Sequence, residues 1–197
     1  FKYYMFPGIL AILLTIIGMF LASLNLVREK EIGTIEQINV TPIKKYQFIA
    51  GKLLPFWIIA MFELILGLVL GKILFGIPLE GNLFLLFSFA AIYLVAVLGI
   101  GLFISTLCQT QQQAQFLNFF ILVTFVMLSG IFTPTESMPH WAQNLNALNP
   151  IAYFIRINRM ILLKGSGFSD ISADFLSMAG IAIALISLAI WKYRKVA

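Results

Sequence analysis

Charge is scarce in this sequence: Asp, Glu, Lys and Arg make up 11% of 197 residues, against about 25% in soluble globular domains. So thin a polar coat excludes a freely soluble domain. Cysteine occurs once, at Cys108, which rules out an internal disulfide and a cysteine-based metal cluster and leaves redox compartment unread. Histidine also occurs once, at His140, and a lone histidine makes no site by itself. No segment has the form GxxxxGK[ST], so no nucleotide-binding loop of that kind is read. Metal-ligand spacing and a nucleophile paired with histidine are likewise missing. No covalent chemistry, and no cofactor bound by this chain, is expected. No internal repeat or low-complexity tract appears. Phe1 leads with no Met and no basic region ahead of a short apolar core, so no signal peptide is read, and the expectation is a fragment whose beginning lies upstream.

What is abundant is apolar sequence, 61% of positions, with 19 Phe. One soluble core could not hide it, whereas a bilayer accepts apolar surface on all sides of a helix. A span needs roughly 20 mostly apolar residues. Five stretches qualify: Pro7 to Val27, Leu53 to Lys72, Leu83 to Leu107, Ala114 to Phe132 and Phe175 to Trp191. None shows the strict alternation of a barrel strand. The expected fold is an all-α integral membrane protein, a bundle of five transmembrane helices in one domain over residues 1–197.

The net charge of +5 reads as loop bias rather than nucleic-acid binding. With the connection after the first span inside, the inner side carries Arg28, Lys30, Lys44, Lys45, Lys52, Lys192, Arg194 and Lys195. The outer side then holds Lys2, Lys72, Arg156, Arg159 and Lys164. This modest excess, together with WKYRK after the last span, places the C-terminus in the cytoplasm.

Ile151 to Leu163 is too short to span, and Arg156 and Arg159 interrupt it on one helical face. Pro134, Pro139 and Pro150 break the preceding stretch, and Trp141 suits the interfacial depth. A re-entrant hairpin on the outer side is expected.

Between the first two spans lies VREKEIGTIEQINVTPIKK, Val27 to Lys45. Ile32, Ile35 and Ile38 share one side of a helix, with Glu29, Gly33 and Glu36 on an adjacent side. Thr41 before Pro42 reads as an N-cap and first helical position. The pattern describes an amphipathic helix on the cytoplasmic face, and does not decide whether it rests on the membrane or meets a protein.

The run EKEIGTIEQINVTP, Glu29 to Pro42, resembles the cytoplasmic coupling segment of ABC-type-2 exporter permeases. TQQQAQ at Thr110 to Gln115, LSGIFTPTESMPHWAQNLNALNP at Leu128 to Pro150, and RMILLKG at Arg159 to Gly165 look like the later signatures of that family, in the same order. The resemblance implies a half-transporter that pairs with a second permease chain and docks on ABC ATPase subunits, which bind the ATP and Mg. Glu29, Glu31, Gly33, Thr34, Glu36, Thr41 and Pro42 would be its coupling positions, Gly33 allowing close approach and the glutamates meeting basic ATPase groups. Pro134 to Leu163 would be a lid on the translocation path. Family members usually have six spans, with a helix and often an extracytoplasmic domain ahead of the stretch equivalent to Pro7 to Val27. Neither is present here.

Within the spans, Glu63 is an expensive carboxylate that either touches cargo or a proton, or packs in a hydrogen-bonded form. Asn118 and Thr124 are candidate partners on the path. Gly67 and Gly71 form G-x-x-x-G, read as helix packing ahead of a dimer seam. Gln109, Gln111, Gln112, Gln113 and Gln115 make an amide-rich inner turn, a solvated loop or, by the resemblance, a minor ATPase contact. Arg156 and Arg159 reach for headgroups, or for phosphate of a lipid or anionic substrate.

The function expected is the permease subunit of an ATP-driven exporter in the bacterial inner membrane, in contact with lipid and without a nucleic-acid partner. A non-transporting scaffold that recruits a cytoplasmic protein is the alternative, and an intramembrane enzyme built on Glu63 and His140 is weaker.

Overall fold

The computed structural model describes residues 2–34, 44–78, 81–132 and 134–193. Among them every regular element is helical. The first helix is α1, Lys2–Thr15, which passes through a π-helical stretch, Ile16–Leu21, into α2, Ala22–Ile32. It starts ahead of Pro7, which lies inside it. The helix α3, Lys45–Phe75, is followed by α4, Leu83–Leu107, and α5, Gln111–Leu128. A 3-10 turn, Thr135–Ser137, then leads to α6, His140–Asn146, α7, Pro150–Lys164, and α8, Phe168–Lys192.

Among the described residues four segments are long and apolar enough to cross a membrane: Tyr3–Ile32, Tyr46–Phe75, Leu83–Leu107 and Phe168–Lys192. The sequence reading expected five. The difference is α5, whose 18 residues open on glutamines and carry Asn118, so its apolar stretch is diluted. It ends at Leu128, short of the expected Phe132, and Gly130 beyond its cap is left-handed with a φ of 82°.

Helix α4 is the centre of the bundle, in contact with α1, α2, α3, α5, α7 and α8, most extensively α8. Its two inner glycines allow this. A Cβ on Gly99 would stand 3.1 Å from the Ile186 backbone nitrogen on α8, and one on Gly101 would stand 2.6 Å from the Met19 carbonyl in the π-helical stretch. Small residues of this kind let helix backbones approach where lipid supplies no hydrophobic drive between helices. Gly67 and Gly71 work similarly on α3, receiving Leu10 and Phe6 of α1. The G-x-x-x-G spacing is thus an intrachain seat. Polar links join the same elements: Tyr93 Oη on α4 meets Thr15 Oγ1 at 2.5 Å, and Trp57 Nε1 on α3 donates to the Ala91 carbonyl at 3.1 Å. The Tyr93 ring stacks on Phe154 of α7 with centroids 4.3 Å apart.

The three prolines of the 134–150 stretch each open an element. Pro134 precedes the 3-10 turn, Pro139 precedes α6, and Pro150 takes the first position of α7. Asn149 caps α7 by accepting from Ile151 N at 3.0 Å, and its Nδ2 donates to the Phe125 carbonyl on α5 at 2.8 Å. This buried amide, with its donor and acceptor both used, fixes where α7 leaves α5. At 15 residues, α7 would reach about 22 Å, short of a roughly 30 Å hydrocarbon core. Its apolar face packs into the bundle, whereas Trp141 on α6 stays exposed.

Two expectations for the charged connection change. Glu29 and Gly33 do not share one continuous helix, because α2 ends at Ile32 and Gly33 turns left-handed at φ 79°. The second span does not grow unbroken from a Thr41–Pro42 start either. Lys44 is extended, with ψ 148°, and is the N-cap of α3, its N–H held by Gln47 Oε1 at 3.1 Å. Glu36, Thr41 and Pro42 lie outside the described residues.

Candidate functional site

Those of the expected coupling positions that are described gather where α2 ends, beside the start of α3 and the turn between α4 and α5. Gly33 donates to the Lys30 carbonyl at 3.2 Å, and Thr34 Oγ1 donates to the Glu29 carbonyl at 3.2 Å, closing the last turn of α2. The preceding side chains face three different partners. Glu29 Oε1 pairs with the Lys52 ammonium on α3. Lys30 Nζ donates to the Ser105 carbonyl and, at 3.4 Å, to the Cys108 carbonyl at the end of α4. Glu31 accepts from the Gln111 backbone N–H at 2.9 Å and from its side-chain amide at 2.5 Å.

The logic is that of helix ends. The last carbonyls of α4 and the first N–H groups of α5 have no partners within their own helices and carry opposite partial charge. A cation followed by an anion on α2 satisfies both, while Thr110 caps α5 by accepting from Gln113 N at 3.3 Å. The amide-rich turn and the charged connection are therefore one structural unit. Sequence reading treated them separately and expected Glu29 and Glu31 to await basic groups elsewhere. In the structure both have partners in this chain. Lys30, Lys52 and the carbonyls of Ser105 and Cys108 were missed; the adjacent opposite charges just before Gly33 were the available signal.

Aromatic side chains wall this corner. Phe48 of α3 lies 6.2 Å from Tyr193, which follows α8, and Lys52 stands 5.9 Å over the Phe48 ring. Burial, reinforced by the Glu29 charge, pushes the Tyr193 phenol up to about 12. It stays a neutral apolar lid.

The three residues expected on a path are not brought together. Asn118 is buried on the inner face of α5, its Nδ2 donating to Ser23 Oγ on α2 at 2.5 Å. Thr124 is on an exposed face, bonded to the Phe120 carbonyl of its own helix at 2.8 Å. It lines an apolar groove of about 210 Å³ with Phe103 of α4 and Leu185 of α8, among others. Glu63 lies on α3, half-buried, and its Oε2 is buried with no hydrogen-bond partner among the described residues. A carboxylate oxygen in that position contributes nothing evident to folding. Glu63→Gln is therefore expected to leave the unfolding midpoint in detergent unchanged or slightly raised. A clear loss of stability would show that the acid packs or hydrogen-bonds structurally.

At the other end of the bundle, Arg156 pairs with Asp174 of α8 at 3.1 Å. Arg159 lies flat on Tyr4 of α1, with its Cζ 3.5 Å from the ring centroid. Of the expected lid residues, Pro134, Pro139 and Pro150 open elements, Trp141 is exposed on α6, and the two arginines tie α7 to α8 and α1.

Comparison with known proteins agrees with this architecture. The profile of the ABC-2 family transporter protein matches residues 1–191. The probable multidrug ABC transporter permease YbhR of Escherichia coli strain K12 is 39% identical over 164 residues, 83% of this chain and 45% of the relative. The inner membrane transport permease YhhJ of the same strain is 32% identical over 193 residues, 96% of this chain and 52% of the relative. ABC transporter G family member 20 of Dictyostelium discoideum is 23% identical over 186 residues, 93% of this chain and 26% of the relative. The chain spans about half the length of these bacterial relatives. A charged helix end tied to the next helix turn, on a bundle with membrane-spanning helices, is thus found in a chain that belongs to the ABC-2 transporter family.

Proposed function

We propose that this chain is the membrane-spanning part of a permease in an ATP-driven exporter, working with a second permease chain and ABC ATPase subunits in a bacterial inner membrane. ATP and Mg are bound by the ATPase, and this chain performs no covalent chemistry. The charged corner faces the cytoplasm, as the excess of Lys and Arg beside it favours. In this reading α5 is a fifth span, its polar start lying at the inner surface. The hairpin of α6 and α7 enters the outer leaflet as a lid, supported by the shortness of α7 and by Trp141 at its rim.

The observation that carries the reading is the linkage of α2 to three other helices. The segment 28–42 presents the docking surface, with Gly33 and Thr34 at its described edge and Glu36, Thr41 and Pro42 beyond. When the ATPase pair closes, its push on this segment travels through Glu29 to α3, through Lys30 to α4 and through Glu31 to α5. The helices move together because each link is a charge-assisted bond to a helix end or a neighbouring helix. Cargo is amphipathic, in keeping with the apolar groove beside Thr124 and with relatives named as multidrug permeases.

The test is to purify the full-length protein in mild detergent, with and without Glu36→Arg, and ask whether an ABC ATPase is retained. Wild type should hold the ATPase, and the variant should insert normally yet release it or hydrolyse ATP without transport. An unchanged ATPase complex with unchanged transport sinks the coupling assignment. No ATPase in either sample favours a scaffold that recruits another protein.

A further inference from the structure

The end of the bundle remote from the charged corner holds a pocket of about 520 Å³ between the start of α1, the end of α5, the 3-10 turn and α7. Its polar wall contains Arg156, Arg159 and Lys164 with one acidic side chain, Glu136. Its flank is aliphatic, with Ile155 and Leu163. Arg156 is partly neutralised by Asp174, whereas Lys164 makes no ion pair among the described residues.

Arg159 is the informative member. Its Nε donates to the Tyr4 carbonyl at 3.4 Å and its Cζ stands 3.5 Å from the Tyr4 ring centroid, two contacts that hold the guanidinium over the ring. Yet its Nη2 is buried and has no acceptor among the described residues. Burial pulls this guanidinium below its ordinary value, opposed by Tyr4. A guanidinium with an unused donor, in one pocket with an ammonium that has no ion pair among the described residues, is suited to receive an anion. Guanidinium and ammonium groups presented together by α7 suit the oxygens of phosphate, and the aliphatic flank suits a carbon chain attached to it.

We propose that this pocket binds a phosphate ester carrying an apolar body, held by Arg159 and Lys164 with Arg156 at the rim. The phosphate comes either from a bilayer phospholipid or from a soluble phosphate compound. This site does not depend on the transport reading, because it concerns binding alone.

The full-length protein in uncharged detergent supplies the test, with phosphatidylglycerol retention read by native mass spectrometry and inorganic phosphate read by the shift in unfolding midpoint. Removing one charge-assisted contact should weaken binding by about tenfold or more. Arg159→Gln and Lys164→Gln should each lose the response, while Lys72→Gln, a cation at the end of α3 outside the pocket, should keep it. Should Arg159→Gln fail to fold, the exposed Lys164 decides alone. Loss of phosphatidylglycerol retention in the pocket variants identifies the bilayer as the source. A phosphate shift lost in those variants, with no lipid retained by wild type, identifies a soluble ester. If neither probe separates wild type from the pocket variants, or if Lys72→Gln behaves as they do, the proposal is overturned.

Discussion

Gly101→Ala is expected to lower the unfolding midpoint of the detergent-solubilised protein sharply, and Gly101→Val to prevent accumulation of folded chain. A single added carbon would meet the Met19 carbonyl at 2.6 Å, Ala22 Cβ at 3.0 Å and Met19 Cα at 3.2 Å. Two of these atoms are backbone, so no side-chain rotation relieves the contact. The π-helical stretch would have to move away from α4, breaking a face that runs the length of the bundle. Overpacking of this kind costs about 1–3 kcal/mol for small increments, which for a chain of this size is about 2–12 °C. The control is Gly180 on α8, where an added Cβ meets nothing within 4 Å. There alanine should be neutral or slightly stabilising, since it favours helix over glycine by about 1 kcal/mol. Gly99, whose nearest contact is the Ile186 nitrogen at 3.1 Å, should fall between them. If the Gly101 and Gly180 alanine variants melt together, α2 and α4 do not pack as closely as described.

That ranking was not legible in the sequence, although the helices were. Apolar runs bounded by charge, Pro and Gly located every long helix, because a bilayer imposes a minimum length on hydrophobic sequence. They did not show which helix sits in the middle. A leucine facing lipid and a leucine facing another helix are chemically equivalent, so α3 and α4 look alike until packed. Yet only 22% of the most apolar stretch of Tyr46–Phe75 is buried, against 56% for Leu83–Leu107. The small residues in AVLGIGLF were the one trace of the centre. The left-handed turn at Gly33 escaped because isoleucines spaced every three residues continue a helical pattern across a glycine that ends the helix.

The candidate site was legible in its members and not in its contacts. Family resemblance singled out Glu29, Glu31, Gly33 and the glutamine turn as separate features. What joins Glu31 to Gln111 is the return of the chain after two crossings, which local periodicity does not encode. For the same reason Lys164 passed as one more outer-side cation, since its neighbours Arg159 and Tyr4 come from different turns and a different helix.

Exchanging Lys30 and Glu31, as Lys30→Glu/Glu31→Lys, should open the end of the bundle where α2, α4 and α5 meet while leaving the spans inserted. The swap keeps composition, net charge and helix propensity, because Lys and Glu rank nearly equally. What it reverses is the match to two helix ends. A carboxylate would then face the Ser105 and Cys108 carbonyls, and an ammonium would face the Gln111 N–H. Each lost charge-assisted bond is worth about 1.5–3 kcal/mol, so the α4–α5 turn should detach about tenfold or more often. Cys108 reports this directly, being the chain's single cysteine and only 4% exposed. Burial pushes its thiol up, and the Lys30 charge holds that rise in check. Removing Lys30 therefore makes the thiol intrinsically less reactive at a given pH, since less thiolate is present. Faster maleimide labelling in the swapped variant can then come only from opening. Labelling at the wild-type rate would show that neither link holds the turn. Under the coupling proposed above, transport measured in parallel separates two routes: ATP hydrolysis without transport would place the stroke through α4 and α5, and intact transport would leave Glu29 and Lys52, through α3, as the path.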